Sequence, residues 1–257
     1  MKHSLFISDL HLCANRPDTT GLFQHFVKHS APHAEALYIL GDLFEYWAGD
    51  DDLNTAFHLE VTGALRALSQ LGTRVYIMRG NRDFLMNAEL AKACGATLLT
   101  DPALLDLHGT PTLLSHGDAL CTDDTDYQNF RRLVRDTSWQ QQFLALPLIQ
   151  RKAQIEELRK KSSQEKQQKS MSIMDVNLQA VHELLQAHHY PRMIHGHTHR
   201  PAHHLHHIDG HTCDRWVLGD WDKQANALRC DANGIAWEMI PFQIEHPAQH
   251  IKTQLPC

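Results

Sequence analysis

Two spacings of apolar residues take turns along this chain. Short apolar, β-branched or aromatic runs occupy positions 5–7, 37–40, 75–78, 112–114 and 193–194, and a small polar cluster ends each one. Such runs, bounded by Gly, Asp, Asn or His, predict buried strands that stop where the polar cluster begins. Residues 53–71 instead place Phe57, Val61, Ala64, Leu65 and Leu68 at helical spacing. The succession of strand, polar loop and helix predicts a layered α/β architecture. Asp50, Asp51 and Asp52 precede the helical stretch, where carboxylates suit unpaired amides and the positive end of the dipole, so they are read as its cap.

Strand signals cease between about 127 and 189. Phe130, Leu133, Val134, Trp139, Phe143, Leu144 and Leu146 supply apolar helical faces there, which makes residues 127–189 a helical insertion in a core formed by 1–126 and 190–257. Strand signals return at 216–218 and 227–242. Asp209-Gly210 and Asn233-Gly234 are hairpin signals, because two-residue turns of the favoured hand need positive φ. A second sheet of antiparallel hairpins is therefore expected at the end. The run His203, His204, His206, His207 fits one exposed strand face as well as it fits metal.

Composition narrows the function classes. A chain of 257 residues can bury a core as one large domain or as a domain with an insertion. Hydrophobic content of 42% and charged content of 21% exclude disordered and fibrous classes. A net charge of -6 gives no reason to expect nucleic acid as partner, since such affinity comes from phosphate neutralisation. The basic stretch with Arg151, Lys152, Arg159, Lys160, Lys161, Lys166 and Lys169 suits a membrane surface or an anionic substrate, and equally a solvated charged helix. The six cysteines form no Cys-x-x-Cys pair, which argues against a zinc ribbon and for a reduced, intracellular setting. The first strand starts at once, leaving no room for a cleavable signal peptide. No apolar run approaches the roughly 18 residues of a membrane span.

The polar clusters carry the chemistry. They read Asp9/His11, Gly41-Asp42, Gly80-Asn81-Arg82-Asp83, His116-Gly117-Asp118 and His197/His199. Strand ends of layered sheets converge, so these remote residues can share one site. Carboxylates, imidazoles and an amide oxygen suit divalent manganese, iron or zinc, and the lack of thiolates argues against structural zinc. This ordered set resembles the binuclear calcineurin-like metallophosphoesterases. The resemblance implies a four-layer α-β-β-α sandwich of two packed mixed sheets, with Asp42 bridging two ions. Asp9, His11 and His199 would complete one ion site, and Asn81, His116 and His197 the other, while His195 falls outside as a packing residue or one that supports a ligand from behind. Two ions about 4 Å apart can neutralise a phosphoryl centre and activate water.

Arg82 discriminates further. Many of these phosphoesterases have a histidine there that protonates the leaving group, whereas arginine cannot act as an acid at neutral pH but binds phosphate as a planar fork. That suits a leaving group needing no proton, such as a phosphate monoester, and hence a phosphoanhydride substrate. A structural pairing of Arg82 with Asp83 is the alternative. Segments 41–47 with 49–52, 80–85, 116–124, 144–148, 173–177 and 195–201 resemble the UDP-2,3-diacylglucosamine hydrolases of lipid A biosynthesis. This resemblance implies hydrolysis of UDP-2,3-diacylglucosamine to UMP and 2,3-diacylglucosamine 1-phosphate, with two Mn2+ and water attacking the α-phosphorus. Asp42, Asn81, Arg82 and His116 would be catalytic, and Asn81, Arg82, Asp124, Ser162, Lys166, Lys169 and His197 would contact substrate. It further implies that the insertion is a lid for acyl chains and that the protein sits on the cytoplasmic face of the inner membrane, with no nucleic acid and no obligate protein partner. Lys166 departs from the small polar residue common in relatives. The alternatives are another calcineurin-like phosphodiesterase or phosphomonoesterase, or a noncatalytic scaffold, which the filled ligand set disfavours.

Overall fold

Five consecutive buried residues, His3–Ile7, form β1 with no exposed face, the pattern of a strand covered on both sides. The computed structural model describes residues 2–168, 175–222 and 225–240, and of 161–168 the backbone only. After β1 come α1 (Pro17–His29), β2 (Ala36–Leu40), α2 (Ala56–Gln70), β3 (Arg74–Met78), α3 (Ala88–Cys94) and β4 (Ala96–Leu99). Next are β5 (Ala103–Leu107), β6 (Thr110–Ser115), α4 (Thr125–Arg135), α5 (Thr137–Leu144), α6 (Leu148–Gln168) and α7 (Leu178–Ala187). The chain closes with β7 (Arg192–His195), β8 (Ala202–Ile208), β9 (His211–Val217), β10 (Asn226–Asp231) and β11 (Gly234–Met239).

Two mixed sheets result, with strand orders β11-β10-β1-β2-β3-β4 and β5-β6-β7-β9-β8. Strands β1 to β4 run parallel, and β10 joins β1 antiparallel. Phe6, Tyr38, Met78, Leu114, Ile194, Leu218 and Leu228 fill the space between the sheets. Phe6, Tyr38 and Tyr76 stack at 4.8 Å along one row of that interface, in register across β1, β2 and β3. The other face of the first sheet packs on α1, α2 and α3 through residues such as Ile7, Phe26, Val61 and Leu90. Val181 and Leu185 of α7 pack with Met193, Ile208 and Cys213 on the outer face of the second sheet. This is the four-layer α-β-β-α sandwich.

Three expectations change. The two C-terminal hairpins do not share a sheet: β8–β9 extends the second and β10–β11 extends the first. Turn chemistry specifies a hairpin but not its neighbour, and β10 finds its partner through the long-range register His3↔Asp231 with β1. The Asp50–Asp52 cluster does not cap the next helix, because the Thr55 side chain accepts from His58 N and opens α2. Asp50 caps α3 instead, taking the amides of Asn87, Glu89 and Leu90 at 3.0–3.1 Å together with Trp47 Nε1. Part of the basic stretch is also internally engaged. Arg151 is buried against Asp51 and the carbonyls of Ala48 and Leu146, Lys152 meets Asp52 at 2.6 Å and Arg159 pairs with Glu45. A buried guanidinium needs such partners, so these cations anchor α6 to the core rather than face a membrane.

Candidate active site

The loops that carry the candidate ligands leave their strands through strained backbone. Asp9, His11, Asp42, His197 and His199 have φ of 56°, 49°, 52°, 69° and 55°, a left-handed region that Asp and His tolerate better than most residues. Such strain collects at functional sites when surrounding contacts over-determine it. Here the loops hold one another. Asp9 N donates to Gly41 O and His11 N to Asp42 O at 3.2 and 2.9 Å, and Gly196 N donates to His116 O at 3.0 Å. His197 N and Arg82 N donate to the carboxylates of Asp9 and Asp42 at 2.8 Å. Gly80 is required by this crowding, because a Cβ there would overlap the Asp42 carboxylate and amide.

The side chains converge on two points. His11 Nε2 stands 3.3 Å from His199 Nε2 and 3.8 Å from Asp42 Oδ2, and His199 Nε2 stands 3.4 Å from Asp9 Oδ1. At the second point Asn81 Oδ1 lies 2.9 Å from both His116 Nε2 and His197 Nδ1, and His116 Nε2 is 3.8 Å from Asp42 Oδ1. Donors about 2.0–2.2 Å from a common ion stand at such separations. Asp9, His11 and His199 form one group able to hold an ion, and Asp9, Asp42 and His116 another.

Whether these residues fit cations can be tested on the unmet atoms. Asp9 Oδ1 is buried without a hydrogen-bond partner. The outer nitrogens of the rings face oxygen: His116 Nδ1 lies 2.9 Å from Leu40 O, His11 Nδ1 3.4 Å from Glu45 Oε2 and His199 Nδ1 3.2 Å from Asp220 Oδ2. With protons on those nitrogens, each Nε2 lone pair points inward, the arrangement that orients metal-bound imidazole. Electrostatics agree. Burial pushes Asp42 up to about 7, the neighbouring Asp83 and Asp9 carboxylates add to the rise, and His116 works against it. Burial opposes charging His116, yet Asp42, Asp9 and Asp118 drive it up to about 9. Burial likewise opposes charging His199, which Asp220 and Asp9 push up to about 10. This much buried carboxylate demands positive charge, and divalent ions meet the demand.

The family model described as calcineurin-like phosphoesterase matches residues 3–201, a span holding all these donors. The chain belongs to the calcineurin-like phosphoesterase family. Among curated relatives it is 55% identical over 231 residues to the UDP-2,3-diacylglucosamine hydrolase of Aromatoleum aromaticum, covering 90% of this chain and 94% of that one. The proteins of the same name from Aeromonas hydrophila and Pseudomonas aeruginosa are 51% and 48% identical. Those alignments cover 88% and 90% of this chain, and 94% and 95% of the relatives.

Beside the donor cluster this phosphoesterase has a cavity of about 850 Å³. Asn81, Arg82, Asp124 and His197 line it together with Trp47, Phe84, Trp139, Phe143, Ile155 and Leu158. Asp124 also caps α4 through Tyr127 N at 3.1 Å. The side chains of Ser162 and Lys166, and all of Lys169, lie outside the described residues. Asp83 is taken up by the amides of Gly80 and Phe44, and among the described residues no carboxylate pairs with Arg82. His195 packs beneath the loop, between Gly196 O at 2.9 Å and Arg215 at 3.0 Å. Sequence reasoning missed Asp220 and Glu45. Asp220 follows Leu218-Gly219 as Asp42 follows Leu40-Gly41, so the same strand-end pattern could have found it. Glu45 sits within a loop and carries no such signal.

Proposed function

We propose that this phosphoesterase hydrolyses the pyrophosphate bond of UDP-2,3-diacylglucosamine, releasing UMP and 2,3-diacylglucosamine 1-phosphate in lipid A biosynthesis. The observation that carries this reading is the cavity, whose wall combines the donor-cluster residues Asn81, His197 and His199 with apolar side chains of α4, α5 and α6, among them Phe130, Trp139, Phe143 and Ile155. A substrate with a charged phosphate end and acyl chains has that polarity. The relatives' shared name supports the same substrate. Residues 127–189 then serve as a lid, with α4 to α6 over the chamber and α7 fixing its far end to the second sheet.

Asp9, His11, Asp42 and His199 would hold one Mn2+, and Asn81, Asp42, His116 and His197 the other. When bound, such a pair offsets phosphoryl charge and lowers the pKa of water. Around it, the chain's own groups place the reaction. Arg82 grips phosphate oxygens with its fork and supplies no proton, which the anionic sugar phosphate does not need. Asn81 and His197 orient the phosphate against the donor cluster, and the aromatic walls exclude water from the chamber. Asp124, Ser162, Lys166 and Lys169 would contact the remainder of the substrate. No helix of the described residues is long and apolar enough to cross a membrane. Delivery of a lipid substrate is consistent with peripheral residence on the cytoplasmic face of the inner membrane, where the exposed Ile149 and Leu133 of the lid offer apolar contact.

The test is turnover of UDP-2,3-diacylglucosamine in oxygen-18 water, followed by mass spectrometry. Label in UMP is the expected result. Label in the sugar phosphate would put attack on the other phosphorus, and turnover of bis-p-nitrophenyl phosphate far faster than of the UDP-lipid would favour a different phosphodiesterase.

A further inference from the structure

A polar network that touches no inward-facing donor atom links α4 to the loops carrying Asn81, His116 and His197. Its hub is Asp118, fully buried two residues after His116. Asp118 Oδ2 accepts from the Tyr127 hydroxyl at 2.7 Å and from Arg131 Nε at 2.8 Å, and its carbonyl accepts from Gln128 Nε2 at 2.8 Å. One turn further along α4, Arg135 stands 3.9 Å from the same carboxylate oxygen. Arg135 Nη2 donates to Gly80 O at 2.9 Å, the carbonyl immediately before Asn81. The Tyr127 ring also lies over His197, with centroids 5.9 Å apart and planes 26° from parallel.

These contacts are one-sided. Among the described residues, the hydrogen bonds and ion pairs of α4 reach the His116 and Asn81 loops, and none reaches Asp9, His11 or His199. The other half of the centre has separate orienting groups, Glu45 beside His11 and Asp220 beside His199. A buried carboxylate stays ionised only with cations and donors around it, so Asp118, Arg131 and Arg135 act as one unit. Gly80 is packed so closely on Asp42 that an added Cβ would overlap the Asp42 carboxylate, and the Arg135 bond to its carbonyl bears directly on where Asn81 stands.

We propose that Asp118, Arg131 and Arg135 are positioning residues for one half of the metal centre, the Asn81–His116–His197 half, and that α4 thereby couples occupancy of that half to docking of the helical insertion. This rests on the two-ion reading above. The experiment is a Mn2+ titration of metal-free full-length protein, read by electron paramagnetic resonance, which separates a spin-coupled pair from a single ion. Wild type takes up two ions. Arg135→Met weakens one of them by about 10–100-fold, the usual cost of losing an orienting group, and leaves the other unchanged, so a single-ion spectrum persists at limiting metal.

Double variants locate the effect. Added to His11→Ala, which keeps the Asn81 half, Arg135→Met weakens the remaining ion, whereas added to Asn81→Ala it changes nothing. Arg135→Lys, which retains charge and donor, restores most of the affinity, and if the methionine variant does not fold, Arg131→Gln, which loses the charge beside Asp118, weakens the same ion in the same titration. Arg135→Met protein that binds both ions as wild type does, or weakens both equally, overturns the proposal. Wild-type protein that takes up fewer than two ions overturns the two-ion reading and the brace with it.

Discussion

Arg82 and Gly80, two residues apart, shape this site in opposite ways. Arg82 contributes a charged fork in the cavity while its amide bonds Asp42, so Arg82→His should keep the metal yet lose anhydride hydrolysis. The expected fall in kcat/KM on the UDP-lipid is about 100-fold, comparable to deleting a donor aimed at a transition-state oxygen. Unchanged turnover would make Arg82 structural. Gly80 contributes space: Gly80→Ala puts a methyl group into the Asp42 carboxylate. That variant should lose bound metal, measured by elemental analysis after dialysis, as well as activity. These two clues thus differ in kind. Arg82 could be named as a candidate from its side chain alone, while the need for Gly80 appears only where folding sets Asp42, distant in sequence, against it.

At the scale of elements, strands were more legible than their neighbours. β1, β2, β3, β6 and β7 each pair an apolar run with a polar stop, and the structure places them at those positions. β4 and β5 escaped notice because their sides are only partly buried, which blurs the apolar run on which such a reading depends. The acidic triplet shows why caps are hard to assign. Asp50 lies next to α2 in sequence but bonds the first amides of α3, since a carboxylate serves whichever unpaired amides the fold brings near. Asp50→Ala should therefore cost about 1–2 kcal/mol of stability, as cap deletions do. Amide hydrogen exchange should loosen in residues 88–94 and not in 56–70. Faster exchange confined to α2 would reinstate the local reading.

At the scale of the whole molecule, buried histidines tie stability to pH. His206 is buried between His182 and Arg215, and its pKa is lowered to about 4, by burial first and then by the Arg215 charge. The unfolded imidazole titrates near 6.5. Between those values the unfolded chain binds the extra proton, so this group's contribution is full above about 6.5 and is lost as pH falls towards 4. His206→Gln keeps an acceptor for Arg215 and removes the titration. The gap in denaturant midpoint between wild type and variant should narrow, or reverse in the variant's favour, from pH 7 to pH 5. A gap independent of pH would show that His206 does not titrate in this window. The helical insertion is coupled to the core by charge as well. Arg151→Met strands the Ala48 and Leu146 carbonyls and the Asp51 carboxylate, and limited proteolysis should then cut within 148–168 first.

The sequence by itself determined the layered α/β class, the strand ends and the identity of the ligand candidates. Those depend on local alternation and on which side chains can bind cations. Tertiary structure decided which loops meet, which carboxylates stand beside which imidazoles, and which of the insertion's cations are engaged internally. Those outcomes depend on contacts between residues as far apart in the chain as His3 and Asp231, which pair across β1 and β10. A local pattern carries no information about its distant partner. The lone carboxylates of Glu45 and Asp220 became orienting groups only when folding set them beside His11 and His199, and α4 became a brace only when Arg135 reached Gly80.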